Sequence, residues 1–347
     1  MARQLCERFS IPRQYGDLNE LLEHGRPNVV HVTTPPKSHH ELAKACLERG
    51  AHVYVEKPFT LNASEARSLI ALANERGLKL TVGHDEQFSH VARRMRDLVA
   101  RGYLGGPPVH MESTYGYDLS GPDYPRAVLG DRQHWVRGLP GKLLHNTISH
   151  GIARIAEYVT DEAPRVIAHG FVSPPLLRMQ EASILDELRV VIVDADRATA
   201  YFTFSSGMRP PLHEFKLYGP RNGLILNQDQ ESLLKLRGAR FKSFAEKFVP
   251  QVELAEQHLV NLTRNLNLFL ARDLHMKAGM KYLIEAFYRS IVQGTPLPIP
   301  YLEIVLTARI MDSIFEQLAA IQAGGDDDDP AEPEPRNQRT NQDRAAP

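Results

Sequence analysis

From residue 28 to residue 82, short apolar runs alternate with longer stretches whose apolar residues recur at helical spacing. Asn28 to Thr33, Ala51 to Val55 and Leu78 to Val82 are runs of strand length. Between them, Ser38 to Arg49 and Asn62 to Arg76 read as helices, each followed by a glycine, Gly50 or Gly77, where a left-handed residue ends a helix. This rhythm predicts a parallel sheet. Polar residues gather at the carboxyl ends of the first two strands: Thr33-Thr34-Pro35-Pro36 after one and Glu56-Lys57-Pro58 after the other. Open α/β sheets place their ligands there.

Upstream, Arg3 to Ser10 reads as the end of a helix and Leu18 to His24 as a short one. Downstream, a helix over Ser89 to Arg101 reaches Gly102, and Gly105-Gly106-Pro107-Pro108 marks a boundary. Beyond it the segments Val109 to Tyr117, Arg165 to Val172, Arg189 to Ala195, Thr199 to Ser205, His213 to Tyr218 and Gly223 to Asn227 are strand-like. Turn signals such as Gly219-Pro220-Arg221-Asn222-Gly223 separate them, as in a mainly antiparallel sheet. One helix, about Asn146 to Val159, interrupts the series, and helices fill roughly Gln251 to Gln293 and Tyr301 to Ala323. The expected organisation is an α/β chain with a first domain over 1–106, a second over 107–323 and a disordered acidic and polar tail over 324–347. No internal repeat is visible.

The chain has 347 residues, 42% apolar and 24% charged, with a net charge of -1, which gives no basic footprint for nucleic acid. No apolar run nears the roughly 18 residues of a membrane span. Cys6 and Cys46 make no C-x-x-C pair, so neither a disulfide framework nor a thiolate zinc site is indicated. A reducing cytoplasm is the expected compartment. The absence of G-x-S-x-G and Walker A sequences removes the common hydrolase and nucleotide-hydrolysing classes.

Val30-His31-Val32-Thr33-Thr34-Pro35-Pro36-Lys37-Ser38-His39, Gly50 to Phe59 with its Glu56-Lys57-Pro58, and Val82-Gly83 leading to Phe88 together resemble the Gfo/Idh/MocA oxidoreductases, the glucose-fructose oxidoreductase and inositol dehydrogenase family. Leu217 to Gly223 and the stretch from Ala286 to Pro298 are similar to that family's second domain. The resemblance implies a Rossmann domain for NAD or NADP, then an α/β domain whose large open sheet supports the substrate and a homo-oligomer, a dimer or tetramer. It also implies hydride transfer between nicotinamide and a secondary alcohol of a sugar, cyclitol or polyol. Lys57 would bind the reacting hydroxyl. The family's Asp and His, four residues apart, fall on Asn146 and His150. Thr33, Thr34, Pro35, Pro36, His39, Glu56, Lys57 and Pro58 would hold the cofactor.

Alcohol oxidation needs a proton acceptor beside the departing hydride, and histidine suits that task near neutrality. On one helix Asn146 and His150 stand at i and i+4, with Ile148, Ile152, Ile155 and Val159 as the core-facing stripe. By spacing alone such a pair reads first as a solvated polar face. An asparagine can hold an imidazole's geometry but adds no negative charge, so Lys57 is expected to carry more of the proton transfer. Taken alone, Lys57 would read as a surface lysine paired with Glu56, and Ser38 as a helix cap. His134-Trp135 suits stacking on a sugar face or plain packing; Tyr115, Tyr117 and Arg132 are weaker candidates. His84-Asp85-Glu86 holds three possible metal ligands, but adjacent residues on one loop rarely close a site, and no metal is expected.

A Rossmann domain opens with a strand, a G-x-G-x-x-G turn and a helix that receives the pyrophosphate, and this sequence has none before Asn28. The missing first strand would neighbour Asn28 to Thr33, so an open edge is expected there, inviting pairing with another chain. Two expectations follow. Either Met1 is an internal residue of a longer working protein, with about 35 residues or more upstream, or the chain is a binding or structural subunit that has lost dinucleotide binding.

Overall fold

The structure is a computed structural model and describes residues 2–118, 131–194, 198–239, 244–275 and 277–324. The expected tail beyond 324 lies outside them. After helix α1 (Ala2–Phe9) and a short helical stretch from Leu18, the chain runs β1 (Val29–Val32), α2 (His39–Glu48), β2 (His52–Val55), α3 (Ala63–Glu75) and β3 (Leu80–Val82). All three strands are parallel, Val29 opposite His52 and Val53 opposite Leu80. Short crossovers make this sheet, and each helix has a local start or stop. Asn62 accepts from Glu65 N at 2.9 Å, and the Glu65 carboxylate reaches back to Leu61 N at 3.0 Å, an N-terminal cap. Gly77 ends that helix at φ +63°, which suits glycine. β1 is the sheet's edge and pairs only with β2 among the described residues.

After α4 (His90–Ala100) come β4 (His110–Asp118), α5 (Lys142–Thr147), α6 (Ser149–Ala156) and β5 (Arg165–Phe171). β6 (Glu187–Asp194), β7 (Ala198–Ser205), β8 (Gly207–Tyr218), β9 (Asn222–Asn227) and β10 (Ser232–Arg237) complete a sheet of order β10-β9-β8-β4-β7-β6-β5. Only the central β4–β7 pair is parallel. The fold class is thus the expected one: a small parallel sheet followed by a large, mainly antiparallel one. Three helices follow, α7 (Ala245–Leu270), α8 (Ala278–Gln293) and α9 (Tyr301–Gly324).

Three local expectations change. The helix expected over Asn146 to Val159 is two helices that meet at Ile148. Ser38 makes no side-chain cap and donates instead to Pro35 O at 2.9 Å. β10 was not visible as a strand, because Ser232-Leu-Leu-Lys-Leu-Arg has no β-branched residue and little alternation.

Two apolar cores form. Val53, Val55, Leu80 and Val82 pack with Leu47 and Leu69, and Leu283 and Phe287 of α8 return from far along the chain to the same core. In the other, Ile148, Ile152 and Ile155 press on Tyr115 and Phe202 of the large sheet. Val91, Ala92 and Met95 of α4 belong to this second core, so packing does not change over at residue 106. Glycine 151 sets how closely α6 approaches the sheet, since a Cβ there would run into the Phe202 and Tyr115 rings. Gly151→Val should therefore destabilise the fold by about 3 kcal/mol or more, read as the midpoint of urea unfolding.

Glu303, in the first turn of α9, accepts from Gln87 Nε2 at 2.5 Å. Burial, then the nearby Glu157 carboxylate, push its carboxyl up to about 7 from the ordinary 4.5. In the unfolded chain it ionises near 4.5, so folding loses stability as pH rises from 4.5 to 7, by up to about 3 kcal/mol. Glu303→Gln should raise the Tm more at pH 8 than at pH 5, where the wild-type carboxyl is already protonated in the fold. Equal shifts at both pH values would refute this.

Candidate active site

The carboxyl ends of β2 and β3 converge because residue 83 has no side chain: a Gly83 Cβ would sit 2.8 Å from the Tyr54 hydroxyl and 3.0 Å from Glu56 Oε2. This brings Glu56-Lys57 alongside His84-Asp85-Glu86. Lys57 then reaches the last turn of α5, where its Nζ donates to Asn146 O at 3.0 Å. His150, one turn on, is 7% exposed; its Nε2 lies 3.9 Å from Asp85 Oδ1, while Lys277 Nζ lies 3.9 Å from Asp85 Oδ2. Glu86 accepts from the Tyr115 hydroxyl, and Arg154 Nη2 donates to Glu86 O and to Gln228 Oε1, both at 2.7 Å. The Asp229 carboxylate receives the His213 backbone N–H and meets His213 Nδ1, each at 2.8 Å. A cavity of about 590 Å³ opens here, lined by Asp85, Glu86, His150, His213, Asp229 and Lys277 among others, whereas Lys57, Tyr115 and Arg154 are not part of its lining.

Burial dominates the electrostatics. It pushes His150 down to about 4, an effect the Glu86 carboxylate opposes, so the imidazole is neutral through the physiological range. Burial raises Asp85 to about 6, against the pull of Lys277. Lys57 is lowered by desolvation, with the Glu56, Glu86 and Asp85 carboxylates opposing. For Glu86, burial works upward, but His150, the Tyr115 hydroxyl and Arg154 outweigh it and hold the carboxyl below its ordinary value. The cluster therefore joins a neutral imidazole, a carboxylate that titrates near pH 6 and an ammonium.

The expected site residues divide. Lys57, Asn146 and His150 come together, although Asn146 meets Lys57 through its backbone carbonyl and makes no hydrogen bond to His150. Thr33, Thr34 and Pro35 are exposed at the end of β1, whereas Pro36 and Pro58 are buried. His39 is wholly buried, with Nε2 2.7 Å from Thr34 O and Nδ1 2.9 Å from Pro58 O, and so braces the two loops. Glu56 accepts from Lys57 N at 3.1 Å. His134 and Trp135 stand together, ring centroids 5.5 Å apart, but do not line the cavity. Asp85 and Glu86 were weighed only as metal ligands, and His213, Gln228 and Lys277 were not singled out. The first two were legible by the same rule as Lys57, since they follow the carboxyl end of β3; the others reach the site only through tertiary packing.

The buried His150 Nδ1 and His84 Nε2 have no hydrogen-bond partner among the described residues, which leaves both open to a polar ligand. For a dinucleotide, the exposed end of β1 and the Glu56-Lys57 corner fit the nicotinamide and ribose half, while no residue of this chain supplies the Gly-rich pyrophosphate turn. Among the described residues no group of three or more metal-ligating side chains is assembled, and no helix is long and apolar enough to cross a membrane.

Residues 1–84 match the model of the oxidoreductase family with an NAD-binding Rossmann fold. The trans-1,2-dihydrobenzene-1,2-diol dehydrogenase of Mus musculus is 30% identical over 127 residues, 37% of either chain. The myo-inositol 2-dehydrogenase of Thermotoga maritima is 28% identical over 107 residues, 31% of this chain and 32% of that one. The matched stretch is thus about a third of each relative's length. A levoglucosan dehydrogenase solved with NADH and levoglucosan superposes with a TM-score of 0.68 at 17% identity, over 92% of this chain and 85% of that one, which establishes a common fold. Residues 1–84, which contain the Glu56-Lys57-Pro58 that closes β2, are thus similar to the Gfo/Idh/MocA oxidoreductases.

Proposed function

We propose that this chain works as an NAD- or NADP-dependent oxidoreductase, moving hydride between nicotinamide and a secondary alcohol of a sugar, cyclitol or related polyol. The observation that carries this reading is that His150 and Asp85 line one cavity together, while the Lys57 ammonium, from the end of β2, docks on Asn146 O one turn before His150. A bound nicotinamide supplies the hydride acceptor. Lys57 hydrogen-bonds the alcohol oxygen and stabilises the negative charge that grows there. His150, neutral before reaction, takes the hydroxyl proton, and the Asp85 carboxylate beside it stabilises the imidazolium that forms. Asp85 thus supplies the negative charge that Asn146 lacks. The cavity's carboxylates, imidazoles and amides suit several hydroxyl groups at once, which favours a polyol over an apolar alcohol. A soluble cytoplasmic enzyme with no nucleic-acid partner belongs to the same reading.

The proposal is tested by titrating the purified chain with NADH and NADPH, following fluorescence with and without a polyol panel. Saturable binding that a polyol tightens supports it, and no binding of either dinucleotide refutes it for this chain. Asp85 gives a second check. As Asp85 protonates near pH 6, kcat/KM should fall on the acid side. Asp85→Asn should abolish that acid limb and lower the plateau roughly 10- to 100-fold, less than the about 10⁴ of the analogous change in serine-protease triads. A wild-type limb kept intact in the variant would exclude Asp85 from this role.

A further inference from the structure

α7 carries two faces of opposite character. Toward β10 it presents polar residues four apart. Gln257 Oε1 accepts from Lys235 N at 2.7 Å and its Nε2 donates to Lys235 O at 3.2 Å. Asn261 does the same with Leu233 N and O, at 3.3 and 3.1 Å, and Asn265 Nδ2 donates to Gln230 O at 2.9 Å. Four helical residues advance about 6.0 Å and two strand residues about 6.8 Å, so one amide per turn can satisfy every second residue of the edge strand. The ladder closes the β10 edge of the sheet and fixes how α7 is turned.

The other face is apolar and open. Ala245, Phe248, Val252, Ala255, Leu259, Leu262, Leu266 and Phe269 follow one another at spacings alternating three and four, the a and d positions of a heptad repeat. Their larger side chains are 53% (Leu266) to 69% (Val252) exposed, and nothing among the described residues covers them.

We propose that this seam pairs with α7 of a second copy of the chain, antiparallel and about a two-fold axis. Antiparallel pairing centred on residue 257 sets Ala245 opposite Phe269, Ala255 opposite Leu259, Phe248 opposite Leu266 and Val252 opposite Leu262. Small residues thereby meet large ones twice, and the contact is self-complementary, as a two-fold interface requires. Parallel pairing would set alanine on alanine and phenylalanine on phenylalanine, leaving gaps beside crowded layers. The area suffices: six large seam residues at roughly 100 Å² each, with Phe244 and Leu270 at the ends, approach the about 800 Å² per partner of a stable interface. Beside the seam only Glu256 and His258 are ionisable, so little charge opposes association. A helix lying on lipid would carry lysine and arginine on its polar face, whereas here that face is spent on β10. Asn265 and the segment after α7 also wall the cavity, so pairing would hold that wall in place.

Sedimentation equilibrium of the full chain should give an assembly of at least two copies, and Leu259→Glu/Leu262→Glu should halve its mass. In a Cys6→Ser background, mild oxidation of Val252→Cys/Leu262→Cys should link two chains covalently, while Val252→Cys alone should not. The cross-linking arm keeps the proposal testable should the charged variant fail to fold. A monomeric wild type overturns it, including one that instead floats with phosphatidylcholine vesicles. A charged variant that folds and keeps the wild-type mass also overturns it, as does linkage of Val252→Cys alone, which would mean parallel pairing.

Discussion

Lys57→Met is expected to lower kcat/KM by about 10²–10³-fold while leaving the Tm close to wild type. Its ammonium reaches the last turn of α5, where it donates to Asn146 O. Three carboxylates, Glu56, Glu86 and Asp85, hold it charged against the desolvation that lowers it. Methionine keeps the length and the apolar stem but cannot stabilise an alkoxide. Loss of one hydrogen bond to a half-buried carbonyl costs about 1 kcal/mol, partly offset because no buried charge remains. Far-UV circular dichroism and thermal melts separate this outcome from misfolding. Turnover within a few-fold of wild type in a folded variant would remove Lys57 from the chemistry.

His150→Asn should cost about 10²–10⁴-fold in turnover, the loss of the proton acceptor. Burial holds His150 near 4, so it acts as a neutral base, and titration of the pair near pH 6 belongs to Asp85. The two variants therefore differ in kind. His150→Asn should depress activity at every pH, with NADH affinity kept because the imidazole faces the cavity it shares with Asp85 rather than the end of β1. A variant that weakens NADH binding in proportion to its lost turnover would place His150 at the cofactor and contradict the assignment.

The parallel sheet was legible because its strands are near-continuous apolar runs and the helices between them are closed by Gly50 and Gly77, and Lys57 because it follows such a run. The large sheet was legible strand by strand except β10, whose leucines look helical and whose pairing is completed by amides from α7. The environment of His150 could not be read, since its burial depends on Gly151 admitting α6 against Tyr115 and Phe202, residues far away in sequence. Asp85 and Glu86 were visible but taken together as a metal question. The strand-end rule that selected Lys57 selects them equally. The break at Ile148 and the raised Glu303 carboxyl come from tertiary packing and leave no local signal.

The central claim is that this cavity oxidises a polyol with Lys57 and His150. The direct measurement is reduction of NAD or NADP by the purified chain against a panel of sugars, cyclitols and polyols, with Lys57→Met run beside it. Reduction that depends on one polyol class and disappears in the variant is the expected result. A chain that binds dinucleotide yet reduces it with no member of the panel, or a Lys57→Met variant as active as wild type, would contradict the claim.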